Sequence, residues 1–258
     1  MIRFITLFSG SSGNATLISG NDTNILIDAG VSCAKIVSEL DKVGVNPNEI
    51  DALLITHEHI DHTSGVRVMS KKFNIPVFAT EETLEGMNLY DVFPSNIRSI
   101  KKGEVFGIRE FEIFPFAIPH DANNPVGYSV LAENKKYTVA TDIGHINEKL
   151  LKCLYKSDTI LLESNHDLDM LKNGRYSYPL KRRILGDFGH LSNDNAAWVA
   201  TQLAKWGTKN IILGHLSNEN NTPDLAYECA YNMLTKNDAK VGCDVILKVA
   251  KRFGITEI

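Results

Sequence analysis

The sequence predicts an α/β protein of the αββα sandwich type, with two mixed sheets flanked by helices, and three observations support this class. Short apolar strand segments recur along the 258 residues and alternate with helical segments. Several strand segments finish in a polar residue that can bind metal: Asp28, His57, His120, Asp142 and His215. No low-complexity tract or Pro/Ser-rich linker divides the chain, so we expect one domain over residues 1–258.

Apolar runs and turn residues predict strands around one helix at the start of the chain. The predicted strands are "IRFITLF" and "NATLISG", separated by the turn "SGSSGN", followed by "TNILIDAG" and "IDALLITH". Between the last two, "AKIVSELDKVG" has helical spacing and ends at Gly44. The strand "IDALLITH" delivers its C-terminal end to a group of histidines, which makes this end a candidate site.

The same alternation continues to the C-terminus. Predicted strands are "IPVFAT", "EVFGIREFEIFPFAIPHDA", the hairpin "VGYSVLAENKKYTVATDIG", "DTILLESNHD", "KNIILGHLS" and "CDVILKVAKRFG". Predicted helices are "SNDNAAWVATQLAKWG", with an Asn or Asp cap, and "TPDLAYECAYNMLTK". Strand ends share one rim of a packed sheet, so we expect the polar residues that finish these strands to gather there.

Composition argues against several classes of protein. A net charge of −4 and a pI of about 6.1 give no overall attraction to nucleic acid or an anionic membrane. A local basic patch is compatible with this net charge. Four scattered cysteines without a CxxC pair are typical of a reduced cytosolic protein: Cys33, Cys153, Cys229 and Cys243. We see no signal peptide and no run of about 20 apolar residues, so we expect a cytoplasmic protein without membrane contact.

The stretch "LLITHEHIDHTSG" concentrates four ionisable residues after an apolar strand: His57, His59, Asp61 and His62. His57 and His59 are two residues apart, so both imidazoles can converge on one ion, while Asp61 and His62 serve a second position nearby. Zinc and similar ions accept imidazole nitrogen and carboxylate oxygen. A solvated histidine-rich loop is the simpler interpretation, but a buried strand before the cluster and Gly65 after it favour a built site.

The motif "THEHIDH" resembles the HxHxDH signature of the metallo-β-lactamase superfamily. Other rim residues follow in that superfamily's order, in "IDAG", "IPHDA", "ATDIGH" and "LGHLS", so the resemblance covers most of the chain. In similar two-metal members, one ion would be held by His57, His59 and His120, and the other by Asp61, His62 and His215. The resemblance implies that Asp142 bridges both ions and that Asp28 orients a ligand.

Such a centre implies hydrolysis. Two cations about 3.5–4 Å apart lower the pKa of a shared water, supply hydroxide near neutral pH and stabilise charge on the substrate. Asp61 would ligate an ion and aim the bridging hydroxide by accepting its hydrogen bond. The site suits a phosphoester, a thioester or an amide, and the motif does not choose among them.

Two segments point to a phosphate substrate. "GHLSN" before the helix at residue 193 resembles the phosphate-binding element of the tRNA 3′-processing branch, which implies that His190, Ser192 and Asn193 bind phosphate. A plain helix cap at Ser192 or Asn193 is the alternative. "LLESNHD" resembles the position of a proton donor in the same branch, so His166 or Asp167 is a candidate donor, against a structural hydrogen-bonding role.

A basic, aromatic stretch lies just upstream, in "YSYPLKRRILG". Lys181, Arg182 and Arg183, with Tyr176 and Tyr178, suit a nucleic-acid backbone, although a solvated run of charges explains them equally well. The turn "SGSSGN", with Ser11, Ser12 and Asn14, could line the same pocket or be an ordinary hairpin turn.

Taken together, "GSSGN", "HEHIDH", "IPHDA", "TDIGH", "ESNHD" and "RRILGDFGHLSN" are most similar to the YycJ/WalJ subfamily of bacterial metallo-hydrolases. This resemblance implies a 5′-to-3′ exonuclease on double-stranded DNA that uses Mn²⁺, Zn²⁺ or Fe²⁺. A small-molecule cyclic phosphodiesterase is the strongest alternative, followed by a glyoxalase II-type thioester hydrolase. An exported β-lactam hydrolase and a catalytically silent binding module fit less well, because no signal peptide is present and all seven candidate ligands remain.

Overall fold

A computed structural model of the chain describes all 258 residues, Met1–Ile258. Residue contacts divide it into two compact units. The first unit comprises residues 1–117, 122–134 and 251–258, and the second comprises residues 118–121 and 135–250. The single domain over residues 1–258 stays a prediction.

The chain folds into fourteen strands and nine α-helices. The strands are β1 (Arg3–Phe8), β2 (Ala15–Ser19), β3 (Asn24–Ile27), β4 (Ala52–Leu54), β5 (Val77–Thr80), β6 (Ile97–Ile100), β7 (Phe106–Ile108), β8 (Phe111–Ala117), β9 (Val126–Ala132), β10 (Lys135–Ala140), β11 (Thr159–Glu163), β12 (Asn210–Gly214), β13 (Ile246–Val249) and β14 (Phe253–Glu257). The helices are α1 (Cys33–Lys42), α2 (Ile60–Thr63), α3 (Val66–Phe73), α4 (Glu81–Gly86), α5 (Glu148–Leu154), α6 (Leu168–Asn173), α7 (Tyr178–Ile184), α8 (Asn193–Lys205) and α9 (Pro223–Lys236).

The first unit contains a complete seven-stranded sheet in the order β14-β1-β2-β3-β4-β5-β6. Neighbours are antiparallel from β14 to β3 and parallel from β3 to β6. Ile27 pairs with Leu54, and the next amide, Asp28 N, donates to Leu54 O at 2.8 Å. The parallel strands β3 and β4 therefore end side by side, which places Asp28 next to the segment that begins at Ile55.

The antiparallel strands β7, β8 and β9 face this sheet inside the first unit. Tyr128 on β9 is fully buried, and its hydroxyl donates to Ile55 O at 2.8 Å. Burial raises the pKa of this phenol, so it stays a neutral donor. Phe111 on β8 lies against Gly20, where an added Cβ would meet the ring at 2.9 Å. The Tyr128 contact anchors the strand end that carries the histidines.

The second unit is built on parallel strands. β10, β11, β12 and β13 pair in parallel, in register from Tyr137↔Thr159 through Asn210↔Ile246. Apolar residues on these strands are buried on both faces, as expected for parallel strands with helices between them. Within this unit the strand order is β13-β12-β11-β10, and within the first unit β9, β8 and β7 are neighbours in that order. The predicted α/β class with two mixed sheets flanked by helices is confirmed.

Two predicted strands prove to be two strands each. The segment "EVFGIREFEIFPFAIPHDA" turns at Arg109, whose φ of 48° reverses the chain, and its halves pair as the antiparallel strands β7 and β8. The segment "CDVILKVAKRFG" divides between β13, which pairs with β12, and β14, which pairs with β1. Apolar residues resume directly after both breaks, at Phe111 and Phe253, so the composition of the two segments gave little warning of them.

No helix of the structure combines the length and the apolar character required to cross a membrane. The four cysteines are free, and Cys33 is buried.

Candidate metal centre

A histidine loop follows β4 in the first unit, which we define as residues 56–62. His57 Nε2 and His59 Nδ1 lie 3.0 Å apart. His57 is 1% exposed, and its other nitrogen, Nδ1, lies 3.0 Å from Thr56 Oγ1. When two imidazole nitrogens bind one ion, each lies about 2.0–2.1 Å from it. The two nitrogens are then about as far apart as Nε2 of His57 and Nδ1 of His59 are here. The structure thus brings His57 and His59 into the arrangement of a ligand pair.

Asp28 fixes the second half of this loop. Its carboxylate accepts hydrogen bonds from Thr56 N at 2.9 Å and Thr56 Oγ1 at 3.0 Å, and it lies 2.7 Å from His62 Nδ1. A carboxylate only accepts, so the His62 proton sits on Nδ1 and the lone pair sits on Nε2. His62 Nε2 lies 3.5 Å from Asp61 Oδ2. Asp28 therefore presents His62 with its ligating nitrogen toward Asp61.

The turn "SGSSGN" packs against the same loop. Asn14 N donates to Asp61 O at 2.9 Å, and Asn14 Nδ2 lies 3.1 Å from His62 Nε2. Gly30 is required at this contact, because an added Cβ would lie 1.6 Å from Asp61 O. Ser11 and Ser12 are exposed. Of the three turn residues predicted to line the pocket, Ser11, Ser12 and Asn14, it is Asn14 that contacts the histidine loop.

A second donor cluster lies within the second unit. It comprises Asp142, Glu163, His190 and His215, whose ligand atoms all lie within 4.8 Å of one another. Asp142 Oδ1 lies 3.3 Å from His215 Nδ1 and 3.8 Å from His190 Nδ1. All of these side chains are buried except that of His190, which is 18% exposed. One carboxylate of this cluster thus faces several imidazoles at once.

His120 reaches this cluster from the loop after β8. Its Nδ1 donates to Gly189 O at 3.1 Å, so its Nε2 carries the lone pair. That Nε2 lies 3.7 Å from Asp142 Oδ1 and 3.4 Å from Asp121 Oδ1. Desolvation by burial lowers the pKa of His120, although the nearby carboxylate of Asp142 opposes the shift. A neutral imidazole whose Nε2 carries a lone pair is the form that a metal ligand requires.

Glu163 is the residue that the sequence analysis missed. It is fully buried at the end of β11, and its Oε1 lies 2.8 Å from His190 Nδ1 and 2.9 Å from His215 Nδ1. Its Oε2 accepts from the backbone amides of Ile143 at 2.7 Å and Leu191 at 3.0 Å. Burial raises the pKa of Glu163, but its interactions with His190 and His215 lower it by more, to about 2. The signal was present, since Glu163 also ends an apolar strand.

Three of the residues named above adopt left-handed backbone conformations. Asp28, Asp142 and His215 have φ values of 61°, 59° and 54°. Each follows a strand of a parallel pair, and the left-handed turn directs the side chain away from the strand axis. Such a conformation costs free energy in a non-glycine residue and concentrates at functional sites.

His166 is buried and has no protein partner for either ring nitrogen. Its exposure is 1%, and neither Nδ1 nor Nε2 makes a hydrogen bond. Desolvation lowers the pKa of His166 to about 4, so the ring is neutral at pH 7. Asp167, the other candidate donor, caps α6 by accepting from Met170 N at 2.8 Å. The role of His166 as proton donor stays a prediction.

His166→Leu is expected to make the free energy of unfolding less sensitive to acid. The folded pKa is about 4 and the ordinary value is 6.5. Between these values the unfolded chain binds the extra proton, so stability falls as the pH drops from 6.5 to 4, by about 3 kcal/mol for this residue. Urea unfolding of metal-stripped wild type and variant at several pH values measures the difference. Parallel curves would show that His166 does not titrate abnormally.

Ser192 and Asn193 both have structural partners at the start of α8. Ser192 is the N-cap, and its Oγ accepts from Asn195 N at 3.3 Å. Asn193 is 3% exposed, with its Oδ1 accepting from Ser164 Oγ at 2.7 Å and its Nδ2 donating to Asn221 Oδ1 at 2.9 Å. The expected Asn or Asp cap is therefore wrong, because the serine hydroxyl precedes the helix and Asn193 points into the protein. Phosphate binding by the two residues stays a prediction.

The basic residues of α7 divide into two kinds. Arg183 forms a bidentate ion pair with Asp121, with Nη2 2.9 Å from Oδ1. The Arg182 guanidinium lies 5.9 Å from the ring centre of Tyr178, which is 72% exposed. Arg182 is thus the one of the two that an external ligand can reach without breaking an ion pair.

The donor residues of these clusters suit divalent metal ions. Imidazole nitrogens and carboxylate oxygens are the ligands of zinc, manganese and iron sites. Asp28 and Glu163 each accept from an imidazole Nδ1–H, which fixes the tautomer of His62 and His215 and leaves Nε2 for coordination. The chain therefore carries His/Asp clusters built for divalent metal binding.

Comparisons with known proteins agree on the family and the fold. The model of the metallo-beta-lactamase superfamily matches residues 9–174. Exodeoxyribonuclease WalJ of Streptococcus pneumoniae serotype 2 (strain D39) is 37% identical over 248 residues, which cover 94% of this chain and 91% of that protein. Exodeoxyribonuclease YycJ of Bacillus anthracis is 34% identical over 243 residues, covering 93% and 92%. Among solved structures, the metallo-beta-lactamase fold protein YhfI from Bacillus subtilis matches over 100% of both chains with a TM-score of 0.74 and 15% identity.

Proposed function

The chain belongs to the metallo-β-lactamase superfamily, and on that premise we propose that it is a metal-dependent exodeoxyribonuclease that hydrolyses phosphodiester bonds in double-stranded DNA. The observation that carries this conclusion is similarity over almost the whole chain to two relatives that are both named exodeoxyribonucleases. The polarity of cutting, 5′ to 3′, belongs to the proposal as well.

We propose further that the chain binds two divalent ions, either Zn²⁺, Mn²⁺ or Fe²⁺. The proposed ligands are His57, His59 and His120 for one ion, Asp61, His62 and His215 for the other, and Asp142 for both. Donor chemistry and the oriented imidazoles described above support this assignment. Bound ions of this kind lower the pKa of water and neutralise charge on a phosphate.

Asp61 is proposed to orient the attacking water. Its side chain is 22% exposed, whereas the neighbouring His62 is fully buried. A carboxylate that is open to solvent can accept a hydrogen bond from water, and the contact of Asn14 N with Asp61 O holds its backbone in place. Asp61 therefore combines the access and the rigidity that the role needs.

His190 is proposed to contact the phosphate. Its Nδ1–H is held by Glu163 Oε1 at 2.8 Å, and its side chain is 18% exposed. With Nδ1–H held by Glu163, the opposite nitrogen, Nε2, can contact a phosphate oxygen, while His166 remains the proposed donor of a proton to the leaving oxygen. We therefore propose that His190 contacts the phosphate and that Glu163 positions it. Ser192 and Asn193 would support this contact from the start of α8.

Arg182→Ala is expected to weaken cleavage of long duplex DNA more than cleavage of bis(p-nitrophenyl) phosphate. A single phosphate contact contributes about 0.9 to the slope of log affinity against log salt, so the variant should show a slope shallower by about that amount. Binding titrations of duplex DNA at several salt concentrations measure it. Lys205→Ala, on a different helix, is the matched control. An unchanged slope for Arg182→Ala would contradict a phosphate contact.

Arg183→Ala tests a different contact. Its loss should release Asp121 beside His120 and lower activity on both substrates alike. If Arg183→Ala instead spared the small phosphodiester and affected only long DNA, Arg183 would belong to the DNA-binding surface.

A comparison of substrates tests the proposed function itself. Wild-type protein loaded with Mn²⁺ is offered 5′-phosphorylated duplex DNA, a cyclic nucleotide and S-lactoylglutathione. We expect release of nucleotides from the 5′ end of the duplex and much slower turnover of the other two. Preferred cleavage of the cyclic nucleotide would indicate a small-molecule phosphodiesterase, and preferred cleavage of the thioester would indicate a glyoxalase II-type enzyme.

A DNA substrate and four free cysteines support a cytoplasmic place of action, which we also propose. DNA is the partner implied by this function, and no protein partner is assigned.

A further inference from the structure

A groove on the second unit lies beside the proposed catalytic residues and contains none of them. Its volume is about 640 Å³. Its walls come from the loop after β10, the start of α5, the loop after α7 and the first two turns of α8. Nothing in the function proposed so far uses it.

One wall of the groove is apolar and open to solvent. Trp198 on α8 is 44% exposed and Leu185 at the end of α7 is 48% exposed. Phe188 follows in the same loop, is 59% exposed, and meets the ring of His145 edge to face at 6.3 Å between centroids. An exposed indole on a helix offers a flat surface on which another ring can stack.

The polar lining selects against phosphate. Glu148 and Asp187 both line the groove, and no Lys or Arg does. Two negative side chains without a cation repel the phosphates of a nucleic-acid backbone. Asn195 adds a side-chain amide that can donate and accept hydrogen bonds, whereas Asn147 caps α5 through Leu150 N and contacts His145. A flat, uncharged ligand with a hydrogen-bonding edge fits this combination, and a nucleobase has these properties.

The groove is formed by rigid contacts. His145 Nδ1 lies 2.7 Å from Asp187 O, and since a carbonyl only accepts, the ring donates. Gly144 lets the two loops approach, because an added Cβ would lie 2.2 Å from Asp187 O. Gly144 N also donates to Pro119 O at 2.7 Å. The walls therefore need little ordering when a ligand enters.

The groove adjoins the proposed phosphate position along three segments of the chain. Gly144 follows Asp142 by two residues, and Asp187 precedes His190 by three. Asn195 lies in the first turn of α8, where its amide is bonded to the cap Ser192. A base in the groove would belong to a nucleotide next to the phosphate that is cut.

We propose that this groove binds the unpaired base of a nucleotide that flanks the cleaved phosphodiester, stacked on Trp198 and bordered by Asn147 and Asn195. The proposal rests on the proposed function and makes it more specific: the enzyme draws one base out of the duplex end while it cuts. An end that frays easily is accordingly a better substrate than a tightly paired end.

A double-mutant cycle between protein and DNA tests the proposal. Wild type and Trp198→Ala are both loaded with Mn²⁺, and kcat/KM is measured on 5′-phosphorylated duplexes. One duplex is intact, and the others lack the base of one of the two nucleotides that flank the first cleaved bond. Loss of a stacked base reduces binding by about tenfold, so each single change should lower kcat/KM by about that factor. The variant acting on the base-deficient duplex should lose no more kcat/KM than either single change causes, because both changes remove the same contact.

Matched variants separate stacking from folding. Trp198→Phe should retain most of the wild-type rate, since a phenyl ring still stacks. Trp206→Ala removes an indole that packs on Tyr155 instead and should leave duplex cleavage unchanged. If Trp198→Ala does not fold, Asn195→Ala takes its place in the same cycle.

The outcomes distinguish the two proposals. The base groove would be overturned if the reductions in kcat/KM from the two single changes multiply. It would also be overturned if Trp198→Ala cuts intact duplex as fast as wild type, and in both cases the proposed nuclease activity would stand. A wild-type protein that cuts no DNA would overturn the proposed function, and the base groove with it.

Discussion

Asp142→Asn is expected to lower hydrolysis of both duplex DNA and bis(p-nitrophenyl) phosphate by more than about 100-fold, beyond the range typical of residues that only orient ligands. The Asp142 carboxylate faces His215 at 3.3 Å and His120 at 3.7 Å, and it is proposed to bind both ions. Asparagine tolerates the φ of 59° at this position, so the substitution removes charge with little effect on the backbone. The loss should therefore reflect metal binding and not misfolding.

Metal analysis provides the second measurement. Purified Asp142→Asn should hold fewer divalent ions than wild type, and His59→Ala should lose ions from the other cluster with a comparable loss of activity. Asp224→Asn, at an exposed position in the first turn of α9, is the matched control and should keep full metal content. Near-normal turnover in either Asp142→Asn or His59→Ala would reject the two-ion proposal.

Glu163→Gln is expected to weaken metal binding by about 10- to 100-fold, the range for partners that orient ligating histidines. The Glu163 carboxylate accepts from two imidazoles and two backbone amides. Glutamine has the same shape, but its NH₂ must then face either the two imidazole N–H groups or the two amides. A donor placed against donors leaves buried groups unsatisfied, so we also expect a loss of about 3 kcal/mol in the free energy of unfolding.

Isothermal titration with Mn²⁺ measures the affinity, and urea unfolding measures the stability. Glu219→Gln, at an exposed position of the same unit, should change neither. Should Glu163→Gln bind metal as tightly as wild type, Glu163 would be only a structural residue of β11.

Local chemistry made much of this site predictable. The histidine loop is contiguous in sequence, so the residues from His57 to His62 needed no tertiary information to be grouped. Asp28 and Glu163 differ in this respect, because their partners are distant in sequence. Asp28 contacts His62, 34 residues away, and Glu163 contacts two histidines that lie 27 and 52 residues away. Asp28 was identified through a resemblance, whereas Glu163 looked like one of several polar residues after β11.

The sequence by itself determined the α/β class, the family and the donor residues at strand ends, because strand periodicity and the "HEHIDH" spacing are local properties. Tertiary structure alone decided which carboxylate orients which imidazole, that His166 is buried without a partner, that Arg183 is tied to Asp121, and that Trp198 borders a groove with Glu148 and Asp187. These contacts join segments far apart in the chain, and hydrogen-bond direction, burial and charge at such contacts depend on packing that no local pattern encodes.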